Sequence, residues 1–184
     1  MFARTKRLTL RPGWPEEAET LASAIAHEAV ATKLAHVPWP YDVADAEAFL
    51  AVPHRPNDAR LLILSHEGAY PVLVGGIGLS ALAPGVAEFG YWLTPGAWGR
   101  GYATEAGRAV VQIARHSLPL RELHARHHLD NPSSRRVLDK LGFREVRREA
   151  SFSLARGCHV DSAVLTLAVD DAAETEIDRM AMAA

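Results

Sequence analysis

With Cys158 as its single cysteine, the chain has no intrachain disulfide, and with no Cys/His signature around it this residue reads as a packed or surface thiol. Charge of one sign is missing too. Twenty Lys and Arg against 22 Asp and Glu leave a net charge of −2, so no global basic field draws nucleic acid, and an anionic ligand has to be held locally. No apolar run approaches the length of a membrane span, and the start Met1-Phe2-Ala3-Arg4-Thr5-Lys6 lacks the apolar core of a signal peptide. These absences lead us to expect a protein of the reducing cytoplasm with no direct nucleic-acid and no membrane partner. Two phosphate motifs are also absent: no G-x-x-x-x-G-K-[ST] run occurs, and Gly99-Arg100-Gly101-Tyr102-Ala103 lacks the third glycine of a dinucleotide fingerprint. A nucleotide hydrolase or a dehydrogenase is therefore disfavoured. Histidines are numerous, but His124 and His128 fall on one face of a strand and His127 on the other, with no H-E-x-x-H or C-x-x-C beside them, so no metal is expected.

What the sequence does contain is a glycine-rich turn between a strand and a helix. Glu88-Phe89-Gly90-Tyr91-Trp92-Leu93-Thr94 reads as the strand, and Ala103, Ala106, Val110, Ile113 and Ala114 recur at helical spacing after Trp98-Gly99-Arg100-Gly101-Tyr102. Such a turn presents free amide N–H groups and the positive end of a helix dipole to an anion, with Arg100 adding charge. Close packing alone also accounts for glycines here, so other segments have to decide.

With 184 residues, 48% of them hydrophobic, the chain suits one domain around one core. Thr5 to Arg11 alternates as a first strand, and Ala18, Leu21, Ala22, Ile25 and Ala29 form the buried stripe of a helix begun near Pro15. A rigid aromatic segment, Val37 to Tyr41, precedes a short helix over Asp42 to Leu50. Arg60–Leu64, Val72–Leu79 and Val86–Thr94 read as central antiparallel strands, and Arg121–His128 as the strand after the long helix. Asn131 caps a further helix with Pro132 in its first turn and Val137, Leu138 and Leu141 facing the core; two last strands follow, joined by a turn at Arg156–His159. The tail from Val169 to Ala184 reads as a frayed or separately packed helix with no assigned function.

Five blocks in order carry a resemblance: Thr5-Lys6-Arg7-Leu8-Thr9-Leu10-Arg11-Pro12, Glu88-Phe89-Gly90-Tyr91-Trp92, Trp98 to Ala106, Asn131-Pro132-Ser133-Ser134 and Leu138-Asp139-Lys140-Leu141-Gly142-Phe143. Together they resemble the GNAT N-acetyltransferases, in the branch of the ribosomal-protein N-terminal (alanine/serine) acetyltransferases. The resemblance implies an α/β (α+β) GNAT acyl-CoA N-acyltransferase fold, a mixed and mostly antiparallel sheet flanked by helices. The domain would cover 5–168 and the tail 169–184. One departure stands out: the first position of the superfamily's loop pattern [QR]-x-x-G-x-[GA] is Trp98, an indole that either covers part of the cofactor or packs beneath the loop.

By that resemblance, acetyl-CoA is the co-substrate, the acceptor is a peptide N-terminus or a small-molecule amine such as a polyamine or an antibiotic, and the chain acts as monomer or homodimer. A non-catalytic acyl-CoA sensor is the alternative from another class. The cofactor would be held by Trp92, Leu93 and Thr94 on the splayed strand, by the loop residues Trp98, Gly99, Arg100, Gly101, Tyr102, Ala103 and Thr104, and by Asn131. Tyr102 and Asn131 have structural readings as well, as core filler and as helix cap. An α-amino group, with a reference pKa of about 8, is partly neutral near neutrality, whereas a lysine amine at about 10.4 is not, so an N-terminus needs little help from a base. Glu88 is the candidate base or a structural carboxylate, and Ser134 a hydrogen-bond donor to the departing sulfur or a plain first-turn residue. Trp39 and Tyr41 are candidates for an acceptor groove or for burial by a rigid turn.

Overall fold

The computed structural model describes residues 1–53 and 57–170. In chain order its strands and α-helices are β1 (Ala3–Arg4), β2 (Leu8–Arg11), α1 (Ala18–Ile25), α2 (Glu28–Ala31), α3 (Val43–Ala51), β3 (Ala59–Ser65), β4 (Val72–Ala83), β5 (Val86–Leu93), α4 (Tyr102–Ser117), β6 (Glu122–His128), α5 (Pro132–Leu141), β7 (Arg144–Ser153) and β8 (Cys158–Ala168). Short strands such as β2 alternate between apolar and polar residues, whereas β3, β4 and β8 carry continuous buried runs because both faces of the sheet are covered there. The strands form a single sheet in the order β1-β2-β3-β4-β5-β6-β8-β7, antiparallel throughout except where β6 runs parallel to β5 after the crossover through α4. The mixed, mostly antiparallel sheet flanked by helices is the architecture the resemblance implied.

The two faces of the sheet serve different helices. Leu61, Ile63, Leu79, Phe89 and Leu93 meet α4 and α5 in the main core, around the fully buried Tyr102, Val110 and Leu138. On the other face Leu62 and Trp92 meet Ala18, Leu21, Ala22 and Ala46 of α1 and α3 in a smaller cluster. Along β5, odd-numbered residues from Ala87 to Leu93 thus face α4 and α5, and even-numbered ones from Glu88 to Trp92 face α1 and α3.

Several boundaries differ from the sequence reading. The first strand is two: the Thr5 amide donates to the Leu8 carbonyl at 2.8 Å and its hydroxyl accepts from the Leu8 amide at 3.0 Å, which turns the chain between β1 and β2. The first helix stops at Ile25, because Ala26 leaves helical geometry at ψ 60°, and the chain restarts as α2 with Val30 and Ala31 inward; Ala29 is consequently exposed. Cys158 and His159 belong to β8, the turn having closed at Gly157 with φ 62°. Val169, fully buried, donates its N–H to the Arg121 carbonyl at 2.8 Å and so closes the domain, while the tail's residues from 171 onward lie outside the described residues.

Between β4 and β5 the sheet tolerates no side chain at Gly75, where a Cβ would stand 2.2 Å from the Trp92 carbonyl oxygen. Since that neighbour is backbone, Gly75→Ala has to push β4 and β5 apart. We expect it to lower the urea-unfolding free energy by about 1–3 kcal/mol, read from the denaturation midpoint at constant slope.

Candidate active site

The parallel ladder between β5 and β6 is short. It runs from Val86 paired with Glu122 to Phe89 paired with Ala125 and then stops, although β5 continues beside β4 to Leu93 and β6 continues beside β8 to His128. The two strands therefore part beyond Phe89 and Ala125, and backbone that a ladder would have consumed borders an opening. A cleft of about 1110 Å³ passes through this opening. One of its ends reaches the start of α4, and the other reaches α3 and β3 on the opposite face of the sheet.

At the first end, Gly99 and Gly101 adopt φ 74° and 79°, the left-handed region that favours glycine, and Gly101 caps α4 without any side-chain cap. None of the amides from Gly99 to Thr104 has an acceptor among the described residues, and the first intrahelical bond comes only from the Glu105 amide to the Gly101 carbonyl, at 3.0 Å. These donors point to an anion site at the positive end of a helix of 16 residues.

The start of the chain holds this turn in place. Glu105 accepts from the Thr5 hydroxyl at 2.6 Å, from the Arg7 amide at 2.9 Å and from Arg7 Nε at 2.7 Å, and Arg7 Nη1 donates to the Arg100 carbonyl at 3.0 Å. Partial burial opposes the ionisation of Glu105, but Thr5 and Arg7 outweigh it and hold the carboxyl below its ordinary range. This clasp explains the Thr5-x-Arg7 pattern.

Not every loop residue faces the cleft. Arg100 turns to a second hollow, shared with Thr94, where it reaches Glu67 at 3.3 Å and stacks over the Tyr102 ring; its side chain is directed away from the cleft that the sequence reading gave it. Thr94 spends its N–H on the Val74 carbonyl at 2.9 Å. The Tyr102 side chain is fully buried beneath the loop, packed in the core with its hydroxyl bonded to Glu67 and to Ser65. Trp98 lies half exposed along the cleft, and its indole N–H donates to the Leu93 carbonyl at 2.9 Å, which folds the ring back onto the strand end.

Midway, Asn131 and Ser134 line the cleft, and the Asn131 side chain caps α5 by accepting from the Ser134 amide at 3.2 Å. Ser134 Oγ lies 2.8 Å from the hydroxyl of Tyr91, a partner that sequence reasoning missed because alternation alone says nothing of what α5 brings over β5. Burial pushes the Tyr91 phenol up to about 12, against the opposing hydrogen bond from Ser134, so it keeps its proton at neutral pH.

At the far end, on the α1 and α3 side, Glu88 lines the cleft half-buried, with no hydrogen-bond or ionic partner among the described residues. Tyr41, Asp45, Phe49 and Arg60 complete this mouth. Tyr41 is pushed up to about 12, chiefly by burial and then by Asp45 and Asp42. Trp39 is absent from the lining; it sits on the outside of its segment, 38% exposed. The residues 33–36 that wall this side are tied to the turn after β6 by Asp130, which binds Lys33 at 3.0 Å and Arg156 at 2.8 Å. No group of three potential metal ligands occurs among the described residues, and no described helix is long and apolar enough to cross a membrane.

The acetyltransferase (GNAT) domain pattern matches residues 7–144, three quarters of the chain. The chain belongs to the GNAT acetyltransferase family. Among curated proteins it is similar to the uncharacterized N-acetyltransferase p20 of Bacillus licheniformis, 27% identical over 169 residues that cover 89% of this chain and 93% of p20. Among solved structures, the ribosomal L7/L12 alpha-N-protein acetyltransferase RimL in complex with coenzyme A superposes with a TM-score of 0.77 at 18% identity, covering 92% of this chain and 98% of that one. The spermidine N-acetyltransferase of Vibrio cholerae, solved with CoA and spermine, gives 0.76 at 16% identity, covering 90% and 97%. At such identities these structures support the fold, which the GNAT chain shares with enzymes of different acceptors.

The clasp and the end of β6 each yield a test. Glu105→Gln keeps the shape but loses the charge that Arg7 grips, and we expect it to cost about 1–2 kcal/mol of stability, a figure reduced for the pair's partial exposure. His128, 3% exposed, carries a pKa held below its ordinary value first by burial and then by Arg156, against the pull of Asp130. A histidine with a lowered folded-state pKa contributes stability that is full above the unfolded value of about 6.5 and is lost as pH falls below it. Thermal unfolding should therefore drop between pH 7.5 and 5.5, and His128→Asn should flatten that slope.

Proposed function

We propose that this protein transfers the acetyl group of acetyl-CoA to a primary amine, most favourably the α-amine of a peptide N-terminus, within a direct ternary complex. The observation that carries the reading is the single cleft that joins an anion-binding helix start to an unpartnered carboxylate through a gap in the sheet. The pyrophosphate fits the amides of Gly99 to Thr104, aided by Arg136 and Lys140 of α5, which line the same cleft. The pantetheine arm fits the gap between β5 and β6, past Trp92, Leu93 and Asn131. We assign the catalytic unit to residues 5–168 and set it in the cytoplasm, where the lone exposed Cys158 stays reduced.

In the reaction the amine nitrogen attacks the thioester carbonyl, the C–S bond breaks, Glu88 takes the proton from the nitrogen directly or through water, and the sulfur leaves with a hydrogen bond from Ser134. Tyr91 is the positioning residue for that bond: when its phenol donates to Ser134 Oγ, the serine proton is free to point at the sulfur. An N-terminal amine is favoured over a polyamine because the acceptor mouth sets Arg60 beside Glu88 and Asp45, so a ligand of several positive charges meets a cation there as well as carboxylates. Asp45 keeps its charge while accepting from the Asp42 amide in the cap of α3, and Asp130 is neutralised by Lys33 and Arg156.

Pure protein, acetyl-CoA, a thiol-detecting dye and parallel panels of peptides and small amines test the proposal. Acceptor-dependent thiol release with peptides is expected, and activity on small amines alone overturns the peptide assignment. Glu88→Gln should lower kcat by about 10²-fold or more, and Ser134→Ala by about tenfold, with CoA affinity by calorimetry changed less than about threefold. Tyr91→Phe should lower kcat less than Ser134→Ala does. Equal turnover in all three variants overturns these roles.

A further inference from the structure

At the acceptor mouth Arg60 and Glu88 carry opposite charges that do not meet. On the α1 and α3 face, Arg60 of β3 stands opposite Gly78 of β4, which stands opposite Gly90 of β5, so one row across three strands reads arginine, glycine, glycine. Glu88 lies next along β5 on the same face. A Cβ placed on Gly90 would touch nothing within 4 Å, so the floor beside Glu88 is bare and open to the cleft.

The Arg60 guanidinium donates to the Pro53 carbonyl at 2.6 Å and lies over the Phe49 ring at 6.0 Å, contacts that fix its place without neutralising it. Among the described residues it has no carboxylate partner, and Glu88 has no cation. The next cation on this face, Arg126, is already held by Glu149 at 2.9 Å. Strand spacing of about 4.8 Å and a rise of about 3.4 Å per residue place the backbones of Arg60 and Glu88 roughly 12 Å apart. Their side chains shorten that gap to one that a residue or two of ligand spans.

We propose that Arg60 is a specificity-determining residue that selects acceptors bearing a carboxylate within one or two residues of the reactive amine. The amine approaches Glu88 and the thioester, the ligand backbone crosses the bare floor at Gly90, and the carboxylate takes the planar fork of Arg60. Two sources supply this chemistry: an acidic side chain near a peptide N-terminus, or the α-carboxylate of a free amino acid. The inference rests on acetyl transfer at this cleft and adds the character of the acceptor.

The test compares C-terminally amidated tetrapeptides that differ only at the second position, glutamate, glutamine or lysine, with alanine and alaninamide as the free amino-acid pair. We expect kcat/KM at least tenfold higher for whichever carboxylate-bearing member matches the site, glutamate over glutamine or alanine over alaninamide. Arg60→Gln should erase that ratio through the acceptor KM while the acetyl-CoA KM holds. Arg60→Lys should retain part of it, and Arg60→Glu should shift preference to the lysine peptide. A merely structural Arg60 would instead lower turnover of every acceptor alike. Equal kcat/KM within both pairs for the unaltered protein, or a ratio that survives Arg60→Gln, overturns the inference and leaves acetyl transfer standing. If thiol release fails with every acceptor, the acetyl-transfer reading itself falls and takes this inference with it.

Discussion

A short ladder governs the site. Four parallel pairs hold β5 to β6, and where they end the sheet opens; had pairing continued to Leu93 and His128, the cleft would have no passage between the two faces of the sheet. The separation persists because each strand has another partner. β5 is zipped to β4 as far as Leu93, and β6 to β8 as far as His128, so the opening is flanked by fully paired backbone on both sides. The gap is a property of two rigid half-sheets, and the residues on its banks inherit that rigidity, which suits groups that have to be placed to within a fraction of an ångström.

The parity of β5 distributes the chemistry between the two sides. Tyr91, facing α5, reaches Ser134, while Glu88, facing α1 and α3, looks into the acceptor mouth. Two polar groups of the cleft thus stand on opposite faces of one strand, with the passage between them. Gly90 leaves the α1 and α3 side of β5 bare beside Glu88.

Much of this was legible in the sequence. Apolar runs and turn residues marked most of the strands, and the glycine turn and the Asn131 cap lie where the sequence put them. What escaped was tertiary. The direction of the Arg100 side chain depends on Glu67, a residue with no motif of its own, and the partnership of Tyr91 with Ser134 depends on the angle at which α5 crosses the sheet. Arg60 drew no notice because an arginine in a strand has meaning only once its neighbours across the sheet prove to be glycines and its charge proves unanswered. Ala29 misled because helical periodicity continues in the letters after Ala26 has ended the helix in the backbone.

The clasp of Thr5 and Arg7 on Glu105 joins segments separated by about a hundred positions. Closing so long a loop is costly in chain entropy and is repaid only after the intervening strands have assembled. A chain still being made cannot form this clasp before the first turn of α4 has been added, so the turn from Gly99 to Gly101 gains its brace late. The same arrangement makes the stretch before β2 part of the helix's foundation: trimming the chain through Arg7 would strip Glu105 of every donor that braces the first turn of α4 from that side.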